Sequence, residues 1–179
     1  MMQDVVFQAG PAAFGDGGHP TTQVVLAALE EIDPAAFAPA CACDMGAGSG
    51  ILSFAIAARF GCRVWAVEIS AQAVEVLQEN IASTGLDERV TALQANGFAH
   101  PQLIDAMPFD LIVMNILAEP LLALAHDAAR SLASEGVLIL SGLLRWQEEA
   151  IREAYVGLGL EYTARLVAGD WVTLVFQKP

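Results

Sequence analysis

The stretch CACDMGAGSGILSFAIAARFGCRVWAVE runs from Cys41 to Glu68 and decides how the chain folds. A short apolar run, Ala40 to Cys43, ends in Asp44. Glycines follow at alternate positions, Gly46, Gly48 and Gly50, and then an apolar, helix-like segment, Ile51 to Ala58. Val64, Trp65 and Val67 form a β-branched and aromatic run that ends in Glu68. The order is strand, glycine turn, helix, strand, acidic tip. Glycine has no Cβ, so the turn can be sharp and its backbone can lie close to a ligand. The turn opens onto a helix N-terminus, where free N–H groups favour anionic groups. A carboxylate at the tip of the second strand can accept hydrogen bonds from both hydroxyls of a ribose. Together these features describe a nucleoside site; the alternative is an ordinary α/β turn with no ligand.

The chain has 179 residues, enough for one domain with a proper core. Hydrophobic residues make up 55%, yet no apolar run is long enough to span a membrane. The apolar surplus is therefore assigned to a buried parallel sheet. The N-terminus, MMQDVVFQAG, lacks the pattern of a signal peptide, and a cytoplasmic location with no membrane contact is expected. Formal net charge is −13, from 8 basic and 21 acidic residues. Such a surface offers no basic stripe to a nucleic acid and suits a lysine-rich protein; plain solubility explains it equally well. Cys41, Cys43 and Cys62 have no metal-ligand spacing with His, so buried thiols and no metal site are expected.

Outward from the glycine turn, strands and helices alternate. Residues 3–9 read as a short strand or arm, and Gly10 to Pro20 as a glycine-rich loop. Thr21 or Thr22 is expected to cap a helix whose Val25, Leu29 and Ile32 share one face. Core strands are predicted near Ala40 to Asp44, Arg63 to Val67, Arg89 to Gln94, Phe109 to Met114 and Gly136 to Leu140. Ser70 caps a helix with an apolar stripe of Val74, Leu77 and Ile81, and Glu119-Pro120 opens another. A helix over Trp146 to Leu158 precedes a hairpin, Leu160 to Val167 and Trp171 to Gln177. The predicted fold is α/β, a Rossmann-like doubly wound seven-stranded sheet with one antiparallel strand. Residues 1–179 are read as a single domain, with 1–20 as arm and lid loop. Asp44, Glu68, Asn96 and Asn115 all fall at strand C-terminal ends, where such sheets bind ligands.

The G-x-G-x-G spacing, with Asp two residues ahead, resembles motif I of class I S-adenosylmethionine (SAM) methyltransferases more than the G-x-G-x-x-G of nicotinamide enzymes. Four further stretches extend the likeness: FGDGGHPTT (Phe14 to Thr22), NILAEPLL (Asn115 to Leu122), SGLLRWQ (Ser141 to Gln147) and WVTLVFQK (Trp171 to Lys178). With them the chain resembles the catalytic domain of the ribosomal protein L11 methyltransferase family, from about Phe14 to its end. The family carries a separate N-terminal recognition domain for which this chain has no room, so a truncated chain or a stand-alone relative is expected. Asp16 stands where the family's loop has Thr.

The resemblance implies SAM-dependent N-methylation of lysine or α-amino groups on a basic, L11-like protein, with S-adenosylhomocysteine (SAH) as product. It implies that Gly46, Gly48 and Gly50 pass under the methionine portion of SAM, and that Asp44 supports that loop or binds the amino group. Glu68 would hold the ribose, Ile69 the adenine face and Asn96 the adenine edge, unless Asn96-Gly97 is only a turn. Phe14, Gly15, His19 and Thr21 would belong to the lid, although His19 also reads as a structural loop histidine and Thr21 as a helix cap. Asn115 would hold the substrate amine together with the backbone carbonyl of Ile116, unless Asn115 only caps a helix. Three other readings stay open: a small-molecule or other methyl acceptor, a non-catalytic SAM-binding module, and a nicotinamide oxidoreductase, which the glycine spacing disfavours.

Overall fold

Each apolar run becomes a strand, and each stretch with helical spacing packs onto one face of the resulting sheet. The computed structural model describes the backbone of residues 4–7 and the whole of residues 18–179. In chain order the elements are β1 (Asp4–Phe7), α1 (Pro20–Glu31), β2 (Cys41–Met45), α2 (Ile51–Phe60), β3 (Arg63–Glu68), α3 (Ala71–Thr84), β4 (Val90–Gln94) and α4 (Pro101–Ala106). They continue as β5 (Phe109–Asn115), α5 (Ala118–Ala123), α6 (Ala125–Ser131), β6 (Leu132–Leu144), a 3-10 turn (Arg145–Gln147), α7 (Glu148–Gly157), β7 (Glu161–Ala168) and β8 (Trp171–Gln177).

The strands form one sheet in the order β1-β7-β8-β6-β5-β2-β3-β4. β8 runs antiparallel to both its neighbours, β6 and β7, and every other pairing is parallel. The expected seven strands are present, and the N-terminal arm adds an eighth, β1, along β7. From β2 the chain first builds outward through β3 and β4, then returns to the other side of β2 with β5. That reversal opens a crevice at the C-terminal ends of β2 and β5, where sheets of this type bind ligands.

Alternation along the strands divides the core into two layers. Cys43, Ile112 and Met114 pack with Leu103, Leu121, Ile151 and Tyr155 of α4, α5 and α7. Ala42, Leu111 and Val113 pack with Val25, Leu29, Ile56 and Leu77 of α1, α2 and α3. Both faces of β5 are buried, which explains its uninterrupted apolar run. Cys41 and Cys43 lie in the same layer, and burial raises both thiols above their ordinary range. Among the described residues, no helix is long and apolar enough to cross a membrane.

Several local expectations need correction. Neither Thr21 nor Thr22 caps α1. His19 does, because Pro20, whose ring presets a helical φ, already occupies the first turn. The expected strand over Gly136 to Leu140 is the middle of the longer β6, which extends at both ends. The helix expected from Trp146 begins instead as a 3-10 turn, and α7 proper starts at Glu148. α4 escaped the periodicity because six residues are too few to show it; its cap is His100, with Pro101 next. The segment opened by Glu119-Pro120 divides into α5 and α6 at Leu124.

Candidate active site

The glycine turn between β2 and α2 is shaped from both sides. Gly46 N–H and Ala47 N–H both donate to the Val67 carbonyl, at 2.8 and 2.9 Å, which ties the turn to β3. Gly46 has φ +82°, and a Cβ there would overlap Ile116 Cγ2. Glycine is therefore demanded twice, by the backbone and by the close approach of Ile116. Gly48 differs: a Cβ on it would meet nothing within 4 Å, so this part of the turn faces open space. Gly50 is the N-cap of α2 and provides no side-chain cap, and the first residues of that helix, Ile51 and Leu52, line a cavity.

Asp44 lies beneath the turn and is 1% exposed. Its Oδ2 accepts from Ser53 Oγ at 2.6 Å. Its Oδ1 is buried and has no hydrogen-bond partner among the described residues. Burial pushes its pKa up to about 6, the negative charge of Glu68 adds to the rise, and the hydrogen bonds from Ser53 oppose it. An unpartnered buried carboxylate oxygen is costly, and a cationic group would satisfy it. Both sequence-level options for Asp44 thus have a physical basis, one oxygen for each.

Glu68 ends β3. Its Oε1 accepts from Ile69 N–H at 2.8 Å and Ser70 N–H at 3.1 Å, and its Oε2 accepts from Gly48 N–H at 3.1 Å. Three backbone amides therefore fix the carboxylate. Ile69 beside it is 61% exposed, an unusual position for a large apolar side chain, and gives an open flat face. Glu68, Ile69, Asn96 and Gly97 line one cavity of about 270 Å³. Gly97 has φ +77°, so the Asn96-Gly97 pair is a turn as well as a cavity wall.

A second cavity, of about 370 Å³, lies on the other side of Gly46 and Ile116. Its walls include His19, Thr21, Thr22, Gly48, Asn115, Leu117, Gly142 and Trp171. Asn115 ends β5, and its Nδ2 donates to Thr22 Oγ1 at 3.5 Å, which leaves its Oδ1 as an acceptor. The next carbonyl, that of Ile116, is protected from the helix that follows it. Pro120 stands four residues on and has no N–H, so α5 cannot take that carbonyl in an ordinary helical bond. Opposite, Gly142 has φ +84°, and a Cβ on it would collide with the Ile116 carbonyl oxygen.

His19 is buried at this wall. Its Nδ1 lies 2.8 Å from Thr21 Oγ1, and its ring stands edge-on to Trp171 at 5.3 Å. Below, Ser141 Oγ shares a hydrogen bond with Thr173 Oγ1 at 2.8 Å and lies 3.5 Å from the Thr21 carbonyl. The start of α1 is thus bonded to β6 next to the cavity residue Gly142. Phe14 and Gly15, expected in a lid, and Asp16 beside them lie outside the described residues.

Of the residues singled out from sequence, Glu68, Ile69 and Asn96 meet at one cavity and His19, Thr21, Gly48 and Asn115 at the other, with Gly46 and Ile116 common to both. Asp44 and Gly50 lie behind these walls. Sequence reasoning missed Thr22 and Gly142 as cavity residues and gave Trp171 only as a core or lip residue. The repeated Thr of PTT was a signal for the first; Gly142 and Trp171 come to the site only through sheet pairing.

Comparisons with known proteins bear on the family and the fold. The family model described as ribosomal protein L11 methyltransferase (PrmA) matches residues 4–179. A ribosomal protein L11 methyltransferase from Chelativorans sp. (strain BNC1) is 42% identical over 166 residues, 93% of this chain and 57% of that protein. One from Pelobacter propionicus is 41% identical and covers 98% of this chain and 56% of its own length. The chain therefore spans a little over half the length of these curated relatives. Among solved structures, a ribosomal protein L11 methylase from Lactobacillus delbrueckii subsp. bulgaricus has a TM-score of 0.79 at 32% identity, covering 93% of this chain and 82% of that one. A methyltransferase from Pyrococcus furiosus has a TM-score of 0.74 at 20% identity, covering 94% and 87%, and shares the fold.

Proposed function

We propose a function from one premise: the chain belongs to the ribosomal protein L11 methyltransferase family. In this reading it binds SAM and transfers the methyl group to lysine ε-amines or α-amines of a basic, L11-like protein, releasing SAH. The observation that carries the reading is the second cavity, where Asn115 and the Ile116 carbonyl stand on a wall shared with the glycine turn.

The residues present suit SAM. Glu68 would hold the ribose hydroxyls, Ile69 the adenine face and Asn96 the adenine edge. The backbone of Gly46, Gly48 and Gly50, with the N-terminus of α2, would take the methionine end, and the unpartnered Oδ1 of Asp44 its ammonium group. Phe14 and Gly15 are assigned to the lid over that end, and Thr21, in the first turn of α1, to the cavity wall. When bound, SAM supplies a methyl group on a sulfonium, a leaving group that needs no acid.

The chain's own task is to position a neutral amine and exclude water. A free lysine amine has a pKa of about 10.4 and is protonated at neutral pH. No carboxylate lines this cavity among the described residues, so none of those residues stabilises the ammonium form by charge. Asn115 Oδ1 and the Ile116 carbonyl each accept one amine hydrogen, which leaves the nitrogen lone pair to face the methyl group. A general base is not required. The protein acceptor is favoured by the net charge of −13, which attracts lysine-rich surfaces.

A thermal-shift comparison of SAH with NAD tests the cofactor, and methyl-labelled SAM with a lysate containing ribosomes tests the acceptor. Stabilisation by SAH alone, with label on protein amines, supports the reading. Label on a small molecule keeps the reaction and replaces the acceptor. SAH binding without label on anything leaves a SAM-binding module.

A further inference from the structure

We propose that the Ile116 side chain is a movable partition between a nucleoside lobe and a transfer lobe, and that the cofactor joins the lobes only when this side chain turns aside. The inference rests on SAM being the ligand. Among the described residues, the two cavities, of about 270 and 370 Å³, have only Gly46 and Ile116 in common. Glu68, Ile69 and Asn96 belong to the first alone, and Asn115 to the second alone. Gly46 and Ile116 are thus the described residues that lie between a nucleoside held at Glu68 and a methyl group presented at Asn115.

That crossing is closed by contact. Ile116 Cγ2 packs directly on Gly46, in the space a Cβ would need. The backbone at this point has little freedom to open it. Gly142 lies so close to the Ile116 main chain that a Cβ would strike its nitrogen, carbonyl carbon and oxygen together. On the other side, Gly46 is held to β3 by its hydrogen bond to Val67. The side chain is the part free to move. Ile116 is only half-buried, and rotation about its χ1 carries the Cγ2 methyl off the glycine while the carbonyl stays in place. A ligand confined to one lobe, such as adenosine, has no reason to turn it. A ligand joining a nucleoside to an amino-acid tail does.

The test compares adenosine with SAH on the wild-type protein, Ile116→Ala and Ile116→Val. Valine keeps a γ-methyl beside Gly46 and should leave the ratio of SAH to adenosine affinity unchanged. Alanine removes it, and SAH affinity should rise relative to adenosine by about fivefold, the cost of displacing a packed rotamer. In the wild-type protein, the methyl resonances of Ile116 should report a new rotamer with SAH and stay unchanged with adenosine. If Ile116→Ala does not fold, shown by loss of adenosine binding, the wild-type spectra decide alone. SAH bound with the Ile116 methyls unmoved overturns the partition and leaves the SAM reading intact. Failure of SAH to bind the wild-type protein overturns both.

Discussion

Gly48 and Glu68 are hydrogen-bonded across the glycine turn: the Gly48 N–H donates to Glu68 Oε2 at 3.1 Å. The other carboxylate oxygen accepts from Ile69 and Ser70, so one side chain joins the turn to the start of α3. The acidic tip of β3 is set in position by the backbone alone.

Glu68→Gln should therefore weaken SAH binding by about tenfold or more. The amide keeps one acceptor oxygen and must direct an NH₂ group at one of the three backbone donors, losing charge-assisted bonds worth about 1.5–3 kcal/mol each. Titration calorimetry measures this. Unchanged affinity would remove Glu68 from the ribose role.

Asp44 predicts a pH dependence. Burial raises its folded pKa from 3.8 to about 6. Its contribution to stability is therefore present below the unfolded value and lost as pH rises through about 6. At about pH 7.5 the ionised group costs the folded state about 3 kcal/mol. Asp44→Asn should raise the melting temperature at about pH 7.5 and have little effect at about pH 4. In the wild-type protein, a ligand ammonium beside Oδ1 favours the carboxylate, so SAM affinity should increase from about pH 5 to about pH 7. Calorimetry in buffers of different ionisation enthalpy would detect the proton released on binding.

Asn115→Ala should reduce turnover by roughly a hundredfold while changing SAH affinity far less, because it removes an amine acceptor and misorients the nucleophile. Equal losses in both would contradict the assignment. Single-turnover rates and SAH titration separate the two.

Gly142→Ala places a methyl group against the Ile116 carbonyl, at a φ of +84° that alanine tolerates poorly. The carbonyl must move away from its place beside Asn115. The expected result is a protein that retains SAH binding with turnover lowered by about tenfold or more. A thermal melt checks that the strain has not unfolded it.

Much of this was legible in the chain. The alternate glycines with Asp44 and Glu68 located the turn and both flanking strands, because glycine spacing and apolar runs are local signals. The strand ends followed, and they placed Asn96 and Asn115 on the same side of the sheet. What was not legible depends on contacts distant in sequence. Gly142 is demanded by Ile116, a contact that the SGLLRWQ stretch does not by itself reveal. Trp171 comes to the cavity because β8 is inserted antiparallel beside β6. His19 was a weak cap by residue type, and only the helix beginning at Pro20 makes it the cap. The isolation of the Ile116 carbonyl was written in the sequence as Pro120, but its meaning required α5 to start at Ala118.

One background works in favour of a direct assay: Lys178 is the only lysine in the chain, and its Nζ donates to the carbonyls of Ala129 and Leu132 at 2.9 and 2.6 Å. Self-methylation of lysine is thus disfavoured. The decisive measurement is mass spectrometry of purified ribosomal protein L11 after incubation with this chain and methyl-labelled SAM. The account predicts methyl groups on lysine ε-amines or the α-amine, with the signal largely lost in Asn115→Ala. SAH binding with no methyl group on any amine of L11 or of other lysate proteins would contradict it.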